Sequence, residues 1–123
     1  MKIVVKKVGE EPNVIEFESL DLEKMQSLVG GYVECLSVSP TVDMWLNDEG
    51  KLHGLPTNMF LCKENGEVLD TIQGDVFFAS NSDGETIGLS DDEVEWVKDK
   101  LVRRSLITVD PLGKFGAFPV WTY

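Results

Sequence analysis

Two short runs of β-forming residues, Ile3–Val8 and Asn13–Glu18, flank the turn-forming Gly9-Glu10-Glu11-Pro12. They predict an opening hairpin in which Val14 and either Phe17 or Ile15 supply the apolar contacts. The apolar spacing then becomes helical. Leu22, Met25, Leu28 and Val29 fall on one face, Asp21 stands where an N-cap belongs, and Gly30 supplies a C-terminal stop. Tyr32–Val38 and Val42–Leu46 are expected strands, the second leading into Asn47-Asp48-Glu49-Gly50. That sequence suits a hairpin turn with Gly50 at positive φ and Leu52 on the return side. Leu55–Leu61 is ambiguous, since Thr57 or Asn58 could cap one helical turn or Met59–Cys62 could be a strand; a short helix is the preferred expectation. Asn65-Gly66 signals another tight turn, Asp75–Ser80 a strand, and Asp83-Gly84 a turn toward Thr86-Ile87.

The most explicit local signal is Ser90-Asp91-Asp92-Glu93, a capping box flanked by Leu89 and Val94 as a hydrophobic staple. Acidic residues fill the first turn, and Lys98, Lys100, Arg103 and Arg104 crowd the last, as the helix dipole favours. A helix over about Asp91–Arg103 follows, with Val94, Val97 and Leu101 as its buried stripe. Trp96 lies about 200° around from Val94 and needs a separate explanation. Beyond it, Leu106–Val109 could form an edge strand. The remaining Asp110–Tyr123 carries Phe115, Phe118, Trp121 and Tyr123 among its glycines and prolines. So apolar a tail either folds back over its own domain or docks on a second subunit or partner.

The chain of 123 residues, with 42% hydrophobic and 27% charged side chains, is the size and composition of one globular domain. Residues 1–109 are read as a single α+β domain, a mostly antiparallel sheet of five to six strands with two helices, and 110–123 as its aromatic tail. Eleven Lys and Arg face 22 Asp and Glu, a formal charge of −11 that repels nucleic acid and anionic lipid. No direct nucleic-acid or membrane partner is expected. Lysines close off the apolar residues at Met1–Lys7 before a signal core could form, and no run approaches the roughly 20 apolar residues of a membrane span. A cytoplasmic location is the expectation, in which Cys35 and Cys62 would be small buried hydrophobes.

Catalytic patterns are scarce. The single histidine, His53, lies in a turn-like Lys51-Leu52-His53-Gly54 without a nucleophile motif beside it, and Gly30-Gly31 does not open a phosphate loop. Asn47-Asp48-Glu49-Gly50 lacks the alternating acids of a calcium loop, so no metal and no cofactor is expected. Two features remain. Acidic clusters at Glu10-Glu11, Asp48-Glu49 and Asp91-Asp92-Glu93 suit imitation of a phosphate backbone, though plain solubility also explains them. Trp45, Trp96 and the four tail aromatics suit interfaces or stacking on a flat ligand, though core packing and self-association explain them too.

Several segments in one order carry a family resemblance: Gly30-Gly31-Tyr32-Val33-Glu34, Asn47–Leu52 with Gly54–Asn58, Asn65–Phe78, and the Leu89-Ser90-Asp91-Asp92 helix start. Over roughly residues 3–102 the chain resembles the DUF3846 family, a domain of unknown function found largely in phage and mobile-element genes of bacteria. It departs from the family pattern after Asn58, where Met59-Phe60 replace Arg-Ala. The resemblance implies a setting in phage–host conflict and brings no catalytic residues. The expected function is that of a small acidic, non-catalytic binding protein in the cytoplasm of a bacterial host, masking a basic nucleic-acid-handling host protein. Sequestration of a small nucleotide in a pocket or dimer interface is the alternative, and a small enzyme a further one. The candidate binding residues are Trp45, Asn47, Asp48, Glu49, Asn58 and Trp96. The candidate oligomer or partner contacts are Phe115, Phe118, Trp121 and Tyr123.

Overall fold

Strands that read as nearly unbroken apolar runs must be covered on both faces, and this condition organises the chain. A computed structural model describes residues 1–62, 68–102 and 116–119. Its elements are β1 (Lys2–Lys6), β2 (Asn13–Glu16), α1 (Leu22–Val29), β3 (Val33–Ser37), β4 (Val42–Asn47) and β5 (Thr57–Cys62). There follow β6 (Val68–Gln73), β7 (Val76–Ser82), β8 (Glu85–Ile87), α2 (Asp91–Val102) and β9 (Gly116–Pro119). Six strands form one sheet in the order β2-β1-β7-β4-β3, with β8 also on β7, and β6-β5-β9 form a second, smaller sheet. Every recorded strand pair is antiparallel. The result is a single α+β domain, its main sheet of the size anticipated and the second sheet additional. No helix among the described residues is long and apolar enough to cross a membrane.

The large sheet divides two cores. Ile3, Val5, Phe77 and Ala79 point to one face, where α1 brings Met25 and Val29 and the hairpin brings Ile15 and Phe17. Val4, Met44, Val76 and Phe78 point to the other, where Val94, Val97 and Leu101 of α2 and Met59 and Ile72 of the small sheet complete a larger cluster. Hence Val76–Ser80 are all buried in succession. Burying one such Phe or Val contributes roughly 1.5–3 kcal/mol.

The helix ends follow the local signals. Asp21 accepts from the Lys24 amide at 2.8 Å, and Gly30 closes α1 at φ +77° with its N–H on the Gln26 carbonyl. At α2 the Ser90 amide donates to Glu93 and the Glu93 amide to the Ser90 hydroxyl, at 2.9 and 3.1 Å. The Glu93 carboxylate also accepts from Thr41 Oγ1 at 2.8 Å and Ser80 Oγ at 3.0 Å, pinning the helix start to β7 and the β3–β4 turn. Partial burial pushes this carboxyl up, but the Ser90, Thr41 and Ser80 bonds outweigh it and hold Glu93 below the usual glutamate range.

Three expectations need correction. Residues Thr57–Cys62 form a strand, because the Asn58 side chain meets tertiary partners instead of capping a helix. Cys35 is exposed, since β3 is an edge strand, and only the backbone of Cys62 is described. Trp96 is half-buried against the larger core, because α2 is flanked by both β1 and β9 and more than one of its faces is covered. The Asn65-Gly66 turn and the Leu106–Val109 strand lie outside the described residues. In the tail, the backbone of Gly116–Pro119 runs beside β5, with Phe118 opposite Phe60.

The two sheets are joined through a polar contact. Lys6 and Asn58 are both fully buried. Asn58 Nδ2 donates to the carbonyls of Lys6 and Gly74, each at 2.8 Å, and its Oδ1 accepts from Lys6 Nζ at 3.0 Å. Lys6 Nζ also donates to the Lys7 carbonyl at 2.8 Å. Burial lowers the Lys6 pKa, against the opposing pull of Asp75 and Glu10.

Replacing Asn58 by Ala strands two carbonyls and takes a partner from a buried ammonium, and should cost about 3 kcal/mol in urea denaturation. The depressed Lys6 pKa means that the fold binds fewer protons than the unfolded chain between the folded value and the ordinary 10.5. Stability should therefore rise with pH through that window. The rise should be smaller in Lys6→Met, measured as the difference between the two denaturation curves at each pH.

Candidate functional site

Asn47 ends β4 with its side chain almost fully buried. Its Nδ2 donates to the Val29 carbonyl at 3.2 Å, tying the C-terminus of α1 to the sheet, and its Oδ1 accepts from the Glu49 amide at 2.8 Å. Gly31 lies so close that a Cβ there would sit 2.8 Å from Asn47 Nδ2. The Asp48 amide then donates to the Tyr32 carbonyl at 2.9 Å.

From here the chain winds through successive turns instead of reversing. The His53 amide donates to the Glu49 carbonyl at 3.0 Å, that of Gly54 to Lys51 at 3.1 Å and that of Leu55 to Gly50 at 3.0 Å. The expected hairpin is therefore absent: the segment is a crossing from the large sheet to the small one, and Leu52 is 80% exposed on its outside. Gly54 takes the positive φ, at +64°, and Gly50 does not. Gly50 is needed for a different reason, since a Cβ on it would stand 2.8 Å from the Gln73 carbonyl oxygen. That contact sets the crossing directly against β6.

A recess opens on each side of the crossing. One, of about 190 Å³, lies between the edge of the large sheet and β6, with Glu34, Leu36 and Leu46 on one wall, Asp70 and Gln73 on the other, and Asp48 and Lys51 at its rim. The second, of about 220 Å³, lies by the end of α1 and is lined by Gln26, Tyr32, Asn47, Glu49 and His53. His53 Nε2 and Glu49 Oε2 are 2.8 Å apart there. In the first recess Lys51 pairs with Asp70, and hydrogen bonding from that ammonium holds Asp70 below the usual carboxylate range. Partial desolvation opposes the shift, and the Thr71 amide assists it. Both partners are about half exposed, so the pair adds little to stability. Gln73 Nε2 donates to Thr57 Oγ1 and Thr71 Oγ1 at 3.1 and 2.9 Å, while its buried Oε1 has no partner.

The structure brings Asn47, Asp48 and Glu49 together around these recesses and places the other candidates elsewhere. Asn58 is sealed in the joint between the sheets, with no surface for a ligand. Trp45 stacks on Phe77, centroids 6.2 Å apart and rings 10° from parallel, in the α1-side core, so of the roles its sequence allows it takes core packing and not stacking on a ligand. Its Nε1 is buried without a partner. Trp96 is half-buried as described. Phe115, Trp121 and Tyr123 lie outside the described residues, and of Phe118 only the backbone is placed. Glu34, Asp70 and Gln73 were not singled out from sequence. They belong to two strands far apart in the chain, and only the crossing at Gly50 makes them neighbours.

Chemically the first recess is an acceptor-rich groove: carboxylates at Glu34, Asp48 and Asp70, with Lys51 the cation among its lining residues. Among the described residues no group of three His, Cys, Asp or Glu side chains is placed to hold a metal ion. The exposed Cys35 thiol is pushed up to about 11 by partial desolvation, then by the charge of Asp43 and a hydrogen bond to it, and so is protonated at neutral pH.

Layers of helix, six-stranded sheet, and helix with small sheet, grooved where the two sheets meet, define a small α+β domain. The chain belongs to the DUF3846 family, a domain of unknown function whose family model matches residues 1–102. No curated protein and no solved structure matches it.

Gly50→Ala forces a Cβ against a backbone carbonyl and should cost about 2 kcal/mol. Gly54→Ala meets open space but strains φ, and should cost about 1 kcal/mol. Guanidinium denaturation midpoints of the two variants check the order.

Proposed function

We propose that this protein acts by binding, and that its partner is a basic protein. The observation that supports this most is the groove between the sheets, lined by Glu34, Asp48 and Asp70, where Lys51 and Asp70 offset each other and Glu34 and Asp48 leave an excess of negative charge. A second acidic region agrees with it. Glu16 stands opposite Lys2 in the sheet, Ser82 opposite Glu85, and Lys2 is bonded to Asp91 at 2.8 Å. Glu16, Asp83, Glu85, Asp91 and Asp92 therefore share one end of the large sheet, with Lys2 among them.

Nucleotide sequestration fits less well. A phosphate entering either recess would meet carboxylates, and both recesses are smaller than the roughly 300–1,000 Å³ of ordinary small-molecule sites. In the phage setting that the family resemblance implies, the proposed partner is a host nucleic-acid-handling protein whose cationic groove ordinarily holds phosphate. Acidic groups arranged on a rigid sheet compete for such a groove by electrostatic complementarity, which speeds encounter and rejects acidic competitors.

Native mass spectrometry of the full chain recovered at low salt from lysate of a phage-infected host should show a bound basic protein. Affinity for that protein should fall at least about tenfold between about 0.05 and 0.5 M salt. Salt-independent binding, or an added mass of only a few hundred daltons, would reject the reading.

A further inference from the structure

The large sheet ends at β3, and the phase of its ladder can be worked out. Asp48 N–H bonds to the Tyr32 carbonyl and Val38 N–H to the Val42 carbonyl, each at 2.9 Å. These pairs lie in the same register as Glu34↔Leu46 and Leu36↔Met44. In an antiparallel ladder bonded pairs alternate with non-bonded ones, so the even-numbered residues of β3 face β4. The N–H and C=O groups of Val33, Cys35 and Ser37 therefore point outward, away from the sheet. No described element pairs with them, and β3 stands at the end of the strand order. The strand carries neither Lys nor Pro, devices that commonly blunt an edge, and Glu34, Cys35 and Ser37 are exposed.

This edge borders the acidic groove. Glu34 and Leu36 share the face of Leu46 and Met44, and across the recess stands β6, itself the end of the small sheet. A strand added to β3 would send alternate side chains into the space between β3 and β6, toward Glu34, Asp48 and Asp70.

We propose that the outer edge of β3 takes up an extended, Lys- or Arg-bearing segment of a partner protein as an additional strand. Its main chain bonds to Val33, Cys35 and Ser37, and its basic side chains enter the groove. The proposal rests on the reading of a basic partner and specifies how that partner is held. Strand addition of this kind draws affinity from the main chain and specificity from alternate side chains. A second copy of this chain is the poorer occupant, since pairing β3 with β3 would join two molecules of formal charge −11 each.

The test uses the full chain, isotopically labelled, and a synthetic peptide alternating Lys and Val, with a second peptide of the same sequence N-methylated at alternate residues. At low salt the first peptide should bind and slow hydrogen exchange at the amides of Val33, Cys35 and Ser37, leaving those of Glu34 and Leu36 unchanged. The N-methylated peptide, equal in charge but without half its donors, should bind about tenfold more weakly or worse. Cys35→Pro removes one outward N–H without touching the bonded pairs at Glu34 and Leu36, and should also weaken binding. Equal binding of both peptides, or binding that leaves the three amides unprotected, overturns strand addition while leaving a basic partner in place. If neither peptide binds at low salt, both strand addition and the basic partner are overturned. Amides of Val33, Cys35 and Ser37 already protected in the unliganded chain would mean that the edge is filled by the chain itself or by a copy, and would overturn the proposal.

Discussion

A single side-chain amide, that of Asn58, sets how the two sheets stand relative to each other. Apolar burial drives the layers together but is non-directional, and Met59 or Ile72 would be nearly as well buried after a shift of an ångström or two. Asn58 does not permit that shift. It satisfies a carbonyl on β1, a carbonyl in the Gly74 turn that leads into β7, and the ammonium of Lys6, all out of contact with water. A buried polar group loses much more by misplacement than a methyl does, so it specifies position where the core supplies cohesion. Glu93 has the corresponding task at the other end of the sheet, where it holds α2 to Ser80 and Thr41.

The groove is a by-product of that fixed geometry. With the small sheet held by Asn58 and by the tight approach of Gly50 to Gln73, β6 cannot close onto β3, and the carboxylates of both strands are left facing a shared space. Both walls are tied to structure fixed elsewhere, β3 to the ladder of the large sheet and β6 to the close approach of Gly50.

What could be read from sequence was whatever is decided locally. Asp21, Gly30 and Ser90 act within a few residues of themselves, as Glu93 does in its capping bonds with Ser90, and both helices appear where those residues place them. The antiparallel α+β class likewise follows from short strands separated by turn residues. Where distant partners decide, the same residue types mislead. Asn58 resembles a helix cap and is a tertiary joint; Gly50 resembles a hairpin glycine and is a close-approach glycine. Of the site, Asn47, Asp48 and Glu49 were visible because they form one string. Glu34 and Asp70 were not, because no local pattern announces that two strand edges will face each other.

The order of strands in the large sheet has a consequence for synthesis on the ribosome. β1–β2 and β3–β4 are each complete hairpins early in the chain, yet they meet only through β7, which pairs with β1 on one side and β4 on the other. Until about Ser82 has emerged, the nascent chain holds two hairpins with unsatisfied inner edges and uncovered apolar faces. The arrival of β7 thus converts separate pieces into one body, and a chain released before β7 exposes the surfaces that quality-control proteases and holdases recognise.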